Sequence, residues 1–364
     1  MRLAIELAKK GKGAVNPNPL VGAVIVKDGR VIGQGYHARY GELHAERAAF
    51  AALTESAEGA EMYVTLEPCC HYGKQPPCVE AIVENKIAKV YVGSDDPHDK
   101  VAGKGIQYLR EHGIIVETQM LKEECDALNP IFFHYITTQT PYVVMKYAMT
   151  MDGKIAAYTG ESKWITGEAA RHHVQETRNA LTGIMVGINT VLQDNPMLTC
   201  RIEGGRNPVR IICDTHLQIP IDCNIVQTAK NIPTIVAIGD DNSMKIGSKG
   251  DKLKKLTDMG VCVLPVNMKE GHIDLADLMK KLGEKQIDGI LLEGGGTLNY
   301  SAITAGIVNE VHAYIAPKIL GGRDARTPVE GQGAAAPDMA AMFRLESTTA
   351  IGDDILLKYT SKTV

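Results

Sequence analysis

His44-Ala45-Glu46 and the later run Pro68-Cys69-Cys70-His71-Tyr72-Gly73-Lys74-Gln75-Pro76-Pro77-Cys78 decide how the first half of this chain reads. One imidazole, two thiolates and a nearby carboxylate are the parts of a hydrolytic zinc site. Zinc held by one His and two Cys keeps its fourth position open for water, which separates catalytic from structural sites. A Glu that does not bind the metal can then carry protons from that water to a leaving amine, as in zinc deaminases acting on heterocycles. His44, Cys69 and Cys78 are the expected ligands and Glu46 the expected proton shuttle. Two features leave alternatives open. The signature Pro-Cys-x-x-Cys would put the second cysteine at position 72, which is Tyr, so either the metal loop is longer or the site is of another kind. Cys70 and His71 are rival ligands, and a fourth protein ligand would turn the metal into a structural brace.

The segments around these residues fit an α/β scaffold. Val21–Val26 and Val31–Tyr36 read as short apolar strands joined by Lys27-Asp28-Gly29-Arg30, whose Asp-Gly is a strong hairpin signal. His44–Ala57 is Ala-rich and free of Gly and Pro, which predicts a helix. Strands at Met62–Leu66, Lys89–Gly93 and Ile114–Glu117 alternate with helices at Cys78–Asn85, Gly105–His112 and Leu121–Tyr135. Such alternation predicts a three-layer α/β/α domain. Residues two apart on a helix point in different directions, so Glu46 can approach a substrate without crowding a metal on His44.

Charge and composition narrow the setting. At 364 residues the chain is long enough for two domains. Residues 1–140 hold 15 Lys and Arg against 18 Asp and Glu, and the remainder holds 24 against 25. Neither half has the basic excess of a polynucleotide-gripping domain, which points to a small substrate and no nucleic acid. Three of the eight cysteines fall within one ten-residue window and the rest are scattered, as in a reducing cytosol rather than a disulfide framework. The N-terminal Arg2–Lys10 reads as an amphipathic helix, without the apolar core of a signal peptide. No run approaches the roughly 20 apolar residues of a membrane span.

A boundary is expected at Thr137-Thr138-Gln139-Thr140-Pro141, where proline forbids a helix from continuing. This divides the chain into domains 1–141 and 142–364. The second half begins a new α/β pattern, with strands at Tyr142–Met149, Gly183–Val186, Val209–Asp214, Thr234–Ile238 and Ile287–Leu292, and helices at Glu168–Thr177 and Leu275–Leu282. The last of these strands opens into Glu293-Gly294-Gly295-Gly296-Thr297-Leu298-Asn299, followed by a helix and a strand at Glu310–Ala316. A glycine-rich strand-to-helix turn can seat a phosphate on backbone N–H groups, or it can simply be a tight packing turn. It is not a Walker loop, and Asn299 stands where a Rossmann fingerprint has its third glycine. Trp164, the one tryptophan, sits among Ser, Lys and Thr, where it could stack on a flat ring. Arg171, Arg178, Arg201 and Arg206 are all available to a phosphate, and chemistry alone does not choose among them.

Taken together, Asn16-Pro17-Asn18-Pro19-Leu20-Val21-Gly22, His44-Ala45-Glu46 and Thr65 through Cys78 resemble the bifunctional riboflavin-biosynthesis deaminase/reductase family, in which the long loop ending in Pro-Pro-Cys is a distinguishing mark. Lys146, Met151-Asp152-Gly153-Lys154, Gly160 through Thr166, Asp194-Asn195-Pro196-Met197-Leu198-Thr199 and Glu293-Gly294-Gly295-Gly296 extend the resemblance over the whole chain. Cys70 departs from it, since the family usually has Ser there. The resemblance implies a cytidine-deaminase-like N-terminal domain and a C-terminal domain similar in fold to dihydrofolate reductase. It implies hydrolysis of the 2-amine of 2,5-diamino-6-ribosylamino-4(3H)-pyrimidinone 5′-phosphate with one Zn2+ per chain, followed by NADPH-dependent conversion of the ribosyl chain to ribityl. By the same resemblance, Asn18 orients the pyrimidine. Ala148, Trp164, Thr190, Asp194, Thr215 and the turn Gly295, Gly296, Thr297, Leu298, Asn299, Tyr300 and Ser301 meet NADPH. Ser162, Arg178, Leu198, Arg201 and Glu293 meet substrate, and Lys146 helps hold the ribose. A cytoplasmic homo-oligomer is expected, with phosphorylated pyrimidines as its partners and no contact with membranes.

Overall fold

Asp28 and Gly29 both take left-handed backbone, φ 49° and 74°, the conformation a two-residue type I′ hairpin requires. The computed structural model describes residues 1–73, 75–98, 101–240 and 248–362. Lys74 of the cysteine loop and the last two residues of the second expected domain lie outside the described residues. The chain divides into two units, Met1–Gln139 and Thr140–Val364.

The first unit runs α1 (Arg2–Lys9), β1 (Gly22–Lys27), β2 (Arg30–Tyr36), α2 (Ala45–Ala51), β3 (Glu61–Leu66), α3 (Cys78–Glu84), β4 (Lys89–Ser94), α4 (Lys104–Glu111), β5 (Ile115–Glu117), α5 (Lys122–Asp126) and α6 (Pro130–Thr138). Its sheet has the order β2-β1-β3-β4-β5, parallel from β3 to β5 and antiparallel around the hairpin. Alternation along β1 sends Ala23 and Ile25 into a core with Ala45, Ala49, Val79 and Ile82, and Val24 into another with Ala4 and Leu7. Both faces are thereby covered, giving three layers. α2 lies directly on β2: a Cβ on Gly35 would stand 2.4 Å from the Ala49 nitrogen. That close seat fixes the helix start bearing His44 and Glu46.

Two expected helices are corrected. His44–Ala57 is helical only to Ala51, because the Thr54 N–H turns to Ile32 O at 2.9 Å and ties the following segment to β2. Leu121–Tyr135 is two helices, parted at Asn129. Pro130 opens α6 at its first position, where a missing N–H costs nothing. The Asn129 side chain meanwhile accepts from Leu20 N and donates to Leu20 O.

The second unit runs β6 (Tyr142–Thr150), α7 (Glu168–Ala180), β7 (Gly183–Gly187), α8 (Ile188–Asp194), β8 (Val209–Cys213), α9 (Asn224–Gln227), β9 (Thr234–Gly239), α10 (Ser248–Asp258) and β10 (Cys262–Val266). A small hairpin, β11 (Met268–Lys269) and β12 (His272–Ile273), precedes α11 (Leu275–Glu284), β13 (Gly289–Leu292), α12 (Gly296–Thr304), β14 (Glu310–Ala316), β15 (Phe343–Ile351) and β16 (Asp354–Ser361). The nine-stranded sheet has the order β10-β9-β8-β7-β13-β6-β14-β16-β15 and is parallel up to β14, with the final hairpin antiparallel. Val143, Met145, Ile211, Ile290 and Leu292 pack under Leu278 and Leu282 on one face; Ile184, Val186, Ile212 and Val236 pack against Ile225 and Leu256 on the other. Burial on both faces explains why these strands read as unbroken apolar runs.

Candidate active sites

In the first unit, His44 is the N-cap of α2, Cys69 follows β3, and Cys78 is the first residue of α3. Their ligand atoms all lie within 4.8 Å of one another. His44 Nδ1 is 3.5 Å from each sulfur, and the Cys78 N–H donates to Cys69 Sγ at 3.3 Å. Neighbours hold the loop between the cysteines: Arg47 donates to Pro76 O at 3.2 Å and to Pro77 O at 2.8 Å. On the other side, the buried Glu67 carboxylate accepts from the N–H groups of Gly103, Gly105 and Ile106, tying the residue before Pro68-Cys69 to the start of α4.

The electrostatics suit a cation. A hydrogen bond from the Cys78 thiol, aided by His44, holds Cys69 well below the usual thiol range; the same bond and burial push Cys78 up. A site of one nitrogen and two sulfurs, one already thiolate, matches zinc in donor type. Among the described residues no fourth His, Cys, Asp or Glu joins the set. Cys70 packs against the apolar core and His71 lines the adjoining cavity, so neither rival ligand completes a structural brace.

That cavity holds about 310 Å³ and is lined by His44, Cys69, Glu46 and Asn18. Glu46 is 3% exposed, and burial followed by the charge of Cys69 raises its carboxyl. Asn18 Nδ2 meets His37 Nε2 at 3.1 Å and His37 Nδ1 meets Leu43 O at 3.0 Å. Burial lowers the His37 pKa, so the ring is neutral, donating to Leu43 and accepting from Asn18. Sequence reading did not single out His37, Asp96 or His98, which line the same cavity. Burial lifts the Asp96 carboxyl to about 6. Asp96 and His98 follow β4, and the outlet of a parallel strand is where α/β folds place ligands; that was the available signal.

The second unit opens a cavity of about 870 Å³ at the carboxyl ends of β7, β8 and β13. Ala148, Trp164, Thr190, Asp194, Thr215 and Gly295 through Asn299 line it, as do Ser301, Lys146, Ser162, Arg178, Arg201 and Glu293. Two expected residues do not. The Leu198 side chain is buried in the core, and Tyr300 packs against the Gly331 backbone. Asn299 reaches the wall but spends its amide on Pro328 O at 2.8 Å. Of the four open arginines, Arg171, Arg178 and Arg201 reach the cavity, whereas Arg206 turns to Leu181 O.

At the cavity floor Arg178 holds Glu293 by two bonds, Nε to Oε1 at 2.9 Å and Nη2 to Oε2 at 2.8 Å. Burial alone would raise the Glu293 carboxyl, but Arg178 and then Lys146 pull it down to about 2. Lys146 is itself lowered by burial. Gly295 is the N-cap of α12, and a Cβ there would find nothing nearer than Thr190 Oγ1 at 4.0 Å. The helix start thus faces open space, as a phosphate seat needs.

Both halves of the chain match known families. Residues 1–94 match the cytidine and deoxycytidylate deaminase zinc-binding region, and residues 141–357 match the RibD C-terminal domain. The chain is 54% identical over 359 residues to the riboflavin biosynthesis protein RibD of Actinobacillus pleuropneumoniae, covering 99% of this chain and 94% of that one. It is 36% identical to the Escherichia coli protein of the same name, covering 98% and 97%. Among solved structures, Acinetobacter baumannii RibD superposes with a TM-score of 0.88 at 36% identity, covering 99% and 97%. A Thermotoga maritima diaminohydroxyphosphoribosylaminopyrimidine deaminase/5-amino-6-(5-phosphoribosylamino)uracil reductase gives 0.87 at 36% with the same coverage. With a deaminase-type metal trio in one unit and a glycine-turn cavity in the other, the chain belongs to the RibD family, the bifunctional zinc- and NADPH-dependent deaminase/reductases of riboflavin biosynthesis.

Proposed function

We propose that residues 1–141 form the zinc-dependent pyrimidine deaminase domain and residues 142–364 the NADPH-dependent reductase domain, acting in that order. The reading rests on one observation above the rest: Glu46 and Asn18 share a cavity with a His/Cys/Cys trio that has no fourth ligand among the described residues. His44, Cys69 and Cys78 would hold zinc, which would supply the Lewis acidity that makes water nucleophilic near neutral pH. Glu46 accepts the proton released and hands it to the departing amine. Burial raises its carboxyl, toward the range in which a group can both take up and release a proton. Asn18, steadied by His37, presents its amide to the pyrimidine edge.

In the reductase domain NADPH supplies the hydride. Gly295 through Asn299, with Ser301, would receive the cofactor on the N–H groups at the start of α12, with Ala148, Trp164, Thr190, Asp194 and Thr215 along the rest of the wall. Arg178 is committed to Glu293, and among the described residues the Arg201 guanidinium donates to no protein acceptor. Arg201 therefore takes the substrate phosphate, while Arg178 and Glu293 set the floor beside it. Ser162 and Lys146 meet the sugar, and Leu198 contributes backbone only.

The test uses the full chain, the diamino substrate and NADPH, with and without a zinc chelator. NADPH is expected to be consumed from the diamino substrate only when zinc is present, and from the deaminated intermediate in either case. Consumption from the diamino substrate by the zinc-stripped protein would overturn the order of steps.

We further infer a cytoplasmic homo-oligomer. All eight cysteines are free, and among the described residues no helix is long and apolar enough to cross a membrane. β15 ends the sheet with Leu345 53% exposed, beside Met342 at 56%. An uncovered sheet edge of this kind is a natural pairing surface. Sedimentation equilibrium is expected to give at least a dimer, and a proline at Leu345 is expected to weaken it; a monomer at micromolar concentration would refute the inference.

A further inference from the structure

Trp164 is the chain's single tryptophan, 60% exposed on the wall of the reductase cavity. An exposed indole on a loop ordinarily samples several rotamers, which makes it a poor platform for a flat ring. Here it is held. The Arg171 guanidinium carbon lies 4.6 Å from the indole centroid, and Arg171 Nη1 donates to Thr166 O at 2.6 Å. From the other side of the loop, Lys318 Nζ donates to Trp164 O at 2.7 Å. The arginine's own base is rigid. α7 begins at Glu168 with the Gly167 N–H bound to Asp354 Oδ2 at 2.8 Å, and Ala170 and Val174 are buried against Tyr314 and Leu356.

We propose that Arg171 is a positioning residue for the reduction: it stacks on one face of Trp164 and anchors the Thr166 carbonyl, so that the other indole face is fixed toward the bound NADPH. The proposal rests on the cavity being the cofactor's, as argued above. A guanidinium suits the task because it stacks on an aromatic face while donating in its own plane. Arg171 also lines the cavity, so it could instead grip a ligand phosphate directly, and the two roles give different results.

Because Trp164 is the only indole, its emission reports this one position. In ligand-free Arg171→Ala, emission anisotropy is expected to fall and acrylamide quenching to rise roughly twofold, with Arg171→Lys in between. The KM for NADPH is expected to rise roughly tenfold while kcat stays within about threefold, the pattern of lost ground-state positioning. In a Trp164→Ala background, which removes the ring, the same Arg171→Ala change is expected to shift the NADPH KM by less than about twofold. Unchanged emission in ligand-free Arg171→Ala, or an equal KM effect in both backgrounds, would overturn the proposal and leave Arg171 as a direct phosphate contact. If NADPH leaves Trp164 emission of the unaltered protein unchanged, the cofactor reading of the cavity falls, and this proposal with it. Should Arg171→Ala fold poorly by circular dichroism, Arg171→Met, which keeps the aliphatic stem, reads the same quantities.

Discussion

Glu46→Gln is expected to lower deamination by a factor of roughly 10²–10⁴, the usual contribution of a positioned acid–base group, while the protein still binds one zinc. Glutamine fills the same volume and can keep a hydrogen bond to Cys78, but it neither accepts nor releases a proton at neutral pH. His44, Cys69 and Cys78 are untouched, so metal content by atomic absorption should match the unaltered chain. Reduction of the deaminated intermediate should be unchanged, which separates a lost proton shuttle from a damaged protein. Stability moves the other way. Burial raises the Glu46 carboxyl above its unfolded value, so its contribution is fully present below the unfolded pKa, near 4.3, and is lost as pH rises through the folded one. Near neutral pH burying this 3% exposed carboxyl is therefore a burden on the metal-free fold, and Glu46→Gln should leave its midpoint in urea unchanged or higher. Deamination within tenfold of the unaltered rate would remove Glu46 from the mechanism.

The parts legible in sequence were those set by short range. Asp28-Gly29 specifies its own turn, and His44 and Glu46 two residues apart at a helix start need no tertiary information to be read as ligand and neighbour. The extent of that helix depended on distant groups, since Ile32 O draws Thr54 out of it. The break at Asn129-Pro130 was missed although a proline marks it, and the reason for it, Asn129 pairing with Leu20, is tertiary. β15 left no pattern because Arg344 through Ala350 are exposed on both faces, so nothing forces alternation. In the cavities, the glycine turn and Trp164 were visible as local anomalies. Asp96 and His98 were not, and only the family resemblance, not the residues' own chemistry, chose Arg178 over Arg206, because cavity walls are assembled from strand ends far apart in the chain.

Arg178→Ala is expected to abolish reduction and to destabilise the second unit by about 3–5 kcal/mol, the typical result of removing one member of a buried ion pair. Both side chains are nearly enclosed, 11% and 13% exposed. The loss leaves Glu293 charged in a site that burial alone would penalise, with Lys146 the strongest remaining cation to lower its pKa. Arg178 also donates to Thr199 O at 2.9 Å, so its removal frees the strand of chain that presents Arg201 to the cavity. The pH dependence follows from the sign of the shift. Glu293 is held at about 2, below its unfolded value, so its stabilisation is present above roughly pH 4.3 and is lost as pH falls toward 2. In Arg178→Ala that acid-labile component should shrink or change sign, so the loss of stability on going from pH 7 to pH 3, read by urea unfolding, should be smaller than in the unaltered protein. The double variant Arg178→Ala/Glu293→Ala should be less destabilised than the sum of the single changes, because it leaves no orphaned charge. Deamination, whose residues all lie in the first unit, should persist in every one of these proteins. A single Arg178→Ala variant that unfolds within about 1 kcal/mol of the unaltered chain, with the same pH response, would show that the pair neither organises nor stabilises the floor of the reductase cavity.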